Sequence, residues 1–416
     1  MNRMVKEAYA SNNGKGFTDL GDYLIWLDDF KTADLAAAVD YAQVMAGGLC
    51  TACAKRNSAG EVLIGRNNDM GVSRCPAYIY TTSCGKYKTL SLRYIAPDMY
   101  TYEQFKAEGY QDKKFINMIG MMASDAMNSE GLYVEGNARE INPIFRNNGT
   151  NPGKARTRSD MLVNLIAQNC ATVKEAIKFV KNELDVFSAP VTDEEGFTEF
   201  GYLMGDATGE YGILEIAADQ VYFLPYQNGQ GNYYLNPICN AIDVTGDGYG
   251  RFARLLEGLE EIETQEEMFR HMEKAMWRDS ILYADCTYLD EKGRIHFVND
   301  KGEPIEDWRS DIYPSHVTAV WGEEAAPLIK NAGRNQMHPA NAKTVMKFCK
   351  DLYVKNGFKE MLLQYYQGNE DPLRDCGDVL TTGLRISANC RKKNLMVQFF
   401  EKDVLTFEFD CGELLK

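Results

Sequence analysis

The sequence predicts an α+β protein in which helices pack on antiparallel sheets, and three observations lead there. Short apolar or alternating runs of strand length cluster in two blocks, one after residue 50 and one from residue 280 onward. Helical periodicity is confined to separate stretches. The strand–helix–strand rhythm of a parallel sheet is missing, which leaves antiparallel sheets with helices laid on them. A chain of 416 residues, 45% hydrophobic and 25% charged, has ample apolar material for such a core.

Taken in order, the first 49 residues stand apart. They are rich in Asp, and residues 34–46 (DLAAAVDYAQVMA) carry helical spacing that stops at Gly47-Gly48. This segment reads as processed or regulatory. From Cys50 the pattern becomes strand-like: CTACAKR, the turn formers Asn57-Ser58-Ala59-Gly60, then EVLIGRN, which together read as a hairpin. Further strand-like runs are AYIYTTS, KTLSLRYIA, FINMIGMMASDA and GLYVEGN, with a second hairpin-like unit in FGYLMGDATGEYGILEIAADQVYFLP. Helical spacing appears over residues 159–182 with a break near Asn169, and again over 252–259, 265–277 and 341–363. Strands return at SILYADCTYLD, GRIHFVN, HVTAVWG, DVLTTGLRISA, NLMVQFF and VLTFEFD. No repeat, low-complexity tract or linker divides the chain.

Charge and composition exclude several functions. A net charge of −15 has the wrong sign for neutralising phosphates, so neither nucleic acid nor an anionic membrane is an expected partner. No apolar run reaches the ~18 residues of a membrane span, and the N-terminus has no signal-like apolar stretch. Eleven scattered cysteines suit a reducing compartment, and a cytoplasmic location with mostly free thiols is the expectation.

Most candidate motifs fail on context. Cys50-Thr51-Ala52-Cys53 has the spacing of a redox pair, but a strand and a turn follow it where a helix N-terminus is needed to stabilise a thiolate. Thiol–disulfide exchange through Cys50 and Cys53 stays as the alternative activity. Cys75 and Cys84 are too widely spaced to complete a zinc site. Residues 246–250 (GDGYG) lack the Lys-Ser/Thr of a phosphate loop, and a calcium loop begun at Asp243 would place Arg254 where a bidentate Glu belongs. His271, His296, His316 and His338 are isolated, and there is no G-x-S-x-G. No metal or cofactor is expected.

The span CTACAKRNSAGEVLIGRNND remains. A hairpin of this length returns the end of its second strand beside the start of its first, bringing Arg66 and Asp69 near Cys50. The guanidinium would favour a thiolate, and the carboxylate could orient a nearby amine or proton. An ordinary surface ion pair fits that spacing as well.

These residues resemble the choloylglycine hydrolase family of linear amide hydrolases, cysteine N-terminal nucleophile (Ntn) enzymes that include bile salt hydrolases, penicillin V acylases and acyltransferase relatives. The family's spacing from Cys to G-R-N-x-D is reproduced by Cys50, Gly65, Arg66, Asn67 and Asp69. Residues 125–132 (DAMNSEGL) are similar to a second family block, and Asn137 falls near its oxyanion-side Asn. Residues 234–237 (YLNP) are similar to a third block without its Thr, and residues 251–254 (RFAR) to a fourth without its Ser. The resemblance covers residues 50 to about 260.

The resemblance implies a four-layer αββα sandwich of two packed antiparallel sheets. It implies catalysis by Cys50, with Arg66, Asp69, Asn137, Asn236 and Arg251 as site residues and Arg254 competing for the last role. It implies that residues 1–49 are a propeptide cleaved at Leu49–Cys50, leaving 50–416 as the catalytic domain, because an N-terminal nucleophile must carry a free amine. That amine has an ordinary pKa of roughly 7.7–8.0 and can act as the base. The expected substrate is a small N-acyl amide. Bile salt hydrolases usually carry only an initiator Met before this Cys, so the long leader is more like that of propeptide-bearing acylases and amidases. Relatives often form homo-oligomers. A non-maturing binding protein of the same fold is the remaining alternative.

Overall fold

The computed structural model describes residues 17–19, 24–30, 49–71, 77–94, 122–139, 145–190, 197–232, 234–235, 255–275, 287–289, 295–297, 380–400 and 404–416. The strands of its first half are β1 (Phe17–Asp19), β2 (Leu24–Phe30), β3 (Leu49–Arg56), β4 (Val62–Gly71), β5 (Ala77–Thr82), β6 (Thr89–Tyr94), β7 (Asp125–Asn128), β8 (Tyr133–Arg139), β9 (Ala155–Arg158) and β10 (Leu184–Phe187). They continue with β11 (Ala189–Pro190), β12 (Phe197–Gly205), β13 (Tyr211–Ala217), β14 (Gln220–Pro225), β15 (Gly229–Gln230), β16 (Thr287–Leu289), β17 (Ile295–Phe297), β18 (Leu380–Asn389), β19 (Asn394–Phe400) and β20 (Val404–Asp410). The α-helices are α1 (Leu162–Asn169), α2 (Val173–Glu183), α3 (Gln265–His271) and α4 (Cys411–Leu414).

Two sheets form the body. The larger runs β1-β2-β5-β6-β7-β8-β12-β13-β14 with β11 on β12, and the smaller runs β15-β3-β4-β18-β19-β20. Pairing is antiparallel in both except at β2–β5, which is parallel. Residues before Cys50 therefore supply β1 and β2 to the larger sheet. The sequence reading placed a helix over 34–46, which lies outside the described residues, as do the expected helix over 341–363, the strand HVTAVWG and the 246–250 turn. The second hairpin-like unit is a three-strand meander, β12–β13–β14.

Alternation along the strands sorts the side chains into layers. On the outer face of the larger sheet, Ala126, Val134, Tyr202, Met204, Leu214 and Ile216 pack against α1 and α2. On the outer face of the smaller sheet, Cys53 and Leu63 pack against Met268 and Met272, from α3 and the 3-10 turn Met272–Ala275. The sheets face each other through β3–β8, β4–β12 and β3–β13. The layers follow the order helix, sheet, sheet, helix, the expected αββα sandwich.

Two glycines set the layer spacing. A Cβ at Gly205 would lie 2.6 Å from Val62 Cγ1 across the sheets, and one at Gly65 would lie 2.5 Å from Met272 Sδ below them. The helices start where capping chemistry puts them. The Thr172 side chain accepts from the Glu175 N–H at the start of α2, and Thr264 and Glu267 form a reciprocal capping box at α3.

Candidate active site

The hairpin β3–β4 builds the site. Its turn closes with the Asn57 N–H donating to Glu61 O and the Gly60 N–H donating to Asn57 O, each at 2.9 Å. That fixes the register: Leu49 faces Asp69, Cys50 faces Asn68 and Ala52 faces Arg66. Cys50, Arg66 and Asn68 thus share the face turned toward the other sheet.

Cys50 is 5% exposed, and its sulfur, nitrogen and carbonyl oxygen are held by four side chains. The thiol donates to Asn68 Oδ1 at 3.1 Å, and Arg66 Nη2 donates to the sulfur at 3.4 Å. The main-chain N–H donates to Asn232 Oδ1 at 2.9 Å, and the carbonyl accepts from Asn137 Nδ2 at 3.3 Å. Asn232 is fixed in turn by donating to Ala138 O. The expectation that Arg66 would tip Cys50 toward thiolate meets a larger opposing effect. Burial pushes the thiol above its ordinary range despite the guanidinium beside it, and the carboxylates of Asp69 and Glu135 push the same way.

Arg66 is itself fully enclosed. Its Nη1 lies 2.8 Å from Asp125 Oδ1 and 3.2 Å from Glu135 Oε2, and it donates to Ser124 O and Gly136 O. Asp125 also accepts from Tyr133 Oη at 2.6 Å and from Asn68 Nδ2 at 3.2 Å. Burial raises the Glu135 carboxyl to about 7, even with Arg66 opposing. Beyond it, Gln230 Nε2 donates to Glu135 Oε1, and Arg139 binds Gln230 Oε1, Glu215 Oε1 and Gly231 O. Glu215 accepts the Leu235 N–H at 2.8 Å. Arg139 and Glu215 thereby tie down the segment that carries Asn232.

The expected site residues divide into three groups. Cys50, Arg66 and Asn137 come together, and Asp69 stands beside Leu49 at the Leu49–Cys50 peptide, its carboxylate accepting from Thr382 Oγ1 at 2.5 Å. By alternation Asp69 belongs to the opposite strand face from the sulfur. Asn236, Arg251 and Arg254 lie outside the described residues. Asn68, Asp125, Tyr133, Glu135 and Asn232 were missed. The signal for two of them was available: in YVEGNAR every second residue is polar, and strand β8 is buried on both faces.

The redox alternative does not fit this geometry. Residues three apart on a strand point to opposite faces, so Cys53 sits in the helix-side layer with its sulfur 3.4 Å from both Met268 Sδ and Met272 Sδ. Burial pushes the Cys53 thiol up to about 12, and both cysteines are free. A disulfide between them would require one to cross the sheet.

Residues 50–228 match the family model of linear amide C-N hydrolases, choloylglycine hydrolase family, which bears out the resemblance read from the motifs. Among solved structures the chain is similar to a mutant of the conjugated bile acid hydrolase from Clostridium perfringens, with 14% identity, a TM-score of 0.43, and coverage of 88% of this chain and 93% of that one. It is also similar to the penicillin V acylase from Agrobacterium tumefaciens, with 12% identity, a TM-score of 0.40, and coverage of 87% and 86%. No curated protein sequence matches it. Among the described residues, no helix is long and apolar enough to cross a membrane.

Proposed function

We propose that this protein is an amidohydrolase that cleaves a linear N-acyl amide through Cys50, after the Leu49–Cys50 bond is cut. The observation that carries this reading is the placement of one residue. The Cys50 sulfur is held by Arg66, while the Cys50 nitrogen is held separately by Asn232. A thiol raised by burial needs a base to become a nucleophile, and among the described residues its hydrogen-bond partners are Asn68 and Arg66, neither of which is a base. A free α-amino group on the same residue would supply that base.

Maturation begins with attack of the Cys50 thiol on the Leu49 carbonyl carbon. The C–N bond breaks as the S–C bond forms, the nitrogen takes a proton, and water hydrolyses the thioester. The products are a carboxylate on Leu49 and an amine on Cys50. In turnover the amine takes the thiol proton, the sulfur attacks the substrate carbonyl, and the proton passes to the leaving nitrogen. Water then releases the acyl group. Asn232 orients the amine through the oxygen that now accepts the Cys50 N–H, with Asp69 at the newly formed chain start. Asn137 and Asn236 are the family-implied donors for the oxyanion, and Arg251 or Arg254 the late Arg. The cleaved leader stays in place because β2 is paired along β5.

The test is incubation with a panel of N-acyl amides, followed by peptide mass spectrometry. An acyl adduct on Cys50 and no turnover by Cys50→Ala are expected; hydrolysis undiminished in Cys50→Ala would overturn the proposal. A chain that stays intact and hydrolyses none of the panel would favour the binding-protein reading.

A further inference from the structure

One partner of the Cys50 sulfur occupies the unspecified position of the G-R-N-x-D block. That residue is Asn68, directly across the hairpin from Cys50 and 2% exposed. Its Oδ1 accepts from the thiol at 3.1 Å, and its Nδ2 donates to Asp125 Oδ2 at 3.2 Å. Asp125 fixes which way the amide faces. It already accepts from Tyr133 Oη and pairs with Arg66, so it presents acceptor oxygens, and only the NH₂ end of Asn68 can meet them favourably. The carbonyl end must then face the sulfur.

We infer that Asn68 is a positioning residue for the nucleophile: anchored by Asp125, it holds the Cys50 sulfur in its protonated form and fixes the direction in which that sulfur points. The inference rests on Cys50 being the nucleophile and adds what restrains it. Two side chains of one strand act on the sulfur in opposite senses. Arg66 donates to sulfur and favours thiolate, whereas Asn68 accepts from sulfur and favours thiol. Because Asp125 holds both, it couples the two partners. Among the described residues, the charged and titratable groups around the sulfur are Arg66 and Asp69 from β4, Asp125 from β7, and Tyr133 and Glu135 from β8, joined by the Cys50 α-amine once the Leu49–Cys50 bond is cut. Substitution at position 68 leaves all of them in place.

The test follows Cys50 ionisation in Asn68→Ala and Asn68→Leu, the second preserving bulk where the first leaves a void. Thiolate absorbance is recorded against pH for each protein and for its Cys50→Ser counterpart, and the difference isolates this one sulfur. Removing a neutral hydrogen bond should lower the midpoint by about 0.5–1 pH unit in a folded variant. A midpoint that stays put or rises in the folded variants would overturn the inference, even if activity fell, since a purely structural role reduces activity without moving ionisation. The readout needs no hydrolysis, so its failure is separable from failure of the amidase reading, which Cys50→Ala tests on its own.

Discussion

Cys50 and Cys53 share a strand, a residue type and near-complete burial, yet the structure gives them different chemistry. Cys50 faces the layer between the sheets, where Arg66, Asn68, Asn137 and Asn232 converge on its atoms. Cys53 faces the helix side and meets two methionine sulfurs. Burial raises both thiols, so burial does not distinguish them. What separates them is the strand face: three residues along a strand reverse it, so Cys50 meets the polar groups between the sheets and Cys53 the methionines on the helix side.

The sharpest way to break this comparison is to exchange the roles. Cys50→Ser should abolish amide hydrolysis in a folded protein, whereas Cys53→Ala should keep it within a fewfold. Equal loss in both, measured as kcat/KM on the same amide, would show that the strand face does not separate their roles. Arg66→Gln comes next in size. It leaves Asp125 and Glu135 facing each other in a buried layer, and removal of one partner from such a group typically costs about 3–5 kcal/mol, readable by denaturant unfolding.

The polar layer should also show in the pH dependence of stability. Burial raises Glu199 to about 8, and its carboxyl is hydrogen-bonded by Ser188 Oγ. A carboxyl with a raised folded-state pKa contributes most below its unfolded value near 4.5. That contribution is lost as pH rises toward 8, because the unfolded chain ionises first. Glu199→Gln should therefore melt higher than the parent at about pH 9 and near the parent at about pH 4, by thermal unfolding. A gap independent of pH would contradict this protonation. The smallest effect belongs to the apolar face: Cys53→Ala should cost roughly 1 kcal/mol from the lost sulfur and the void beside Met268 and Met272.

How much of this was legible in the sequence varies by region, for physical reasons. The β3–β4 hairpin was readable because a short turn fixes its register locally, and that register carries Arg66 to Cys50. The break between α1 and α2 was readable near Asn169, since Thr172 starts the second helix with its own side chain. Strands β1 and β2 were not, because β2 pairs in parallel with β5 some fifty residues on, and no local pattern announces a distant partner. Tyr133, Glu135, Asn137 and Arg139 alternate with smaller or apolar residues as an exposed strand would. Only the second sheet turns that polar face into the buried wall of the site. Asn68 was hidden for a different reason: the motif leaves its position open, and its role depends on Asp125, which arrives from β7.

The most direct measurement is the N-terminal sequence and intact mass of the species that turns over an N-acyl amide, purified under native conditions. A chain beginning at Cys50, accompanied by a separate leader that comes away only in denaturant, is the expected result. Full turnover by a species still beginning at Met1 would contradict it.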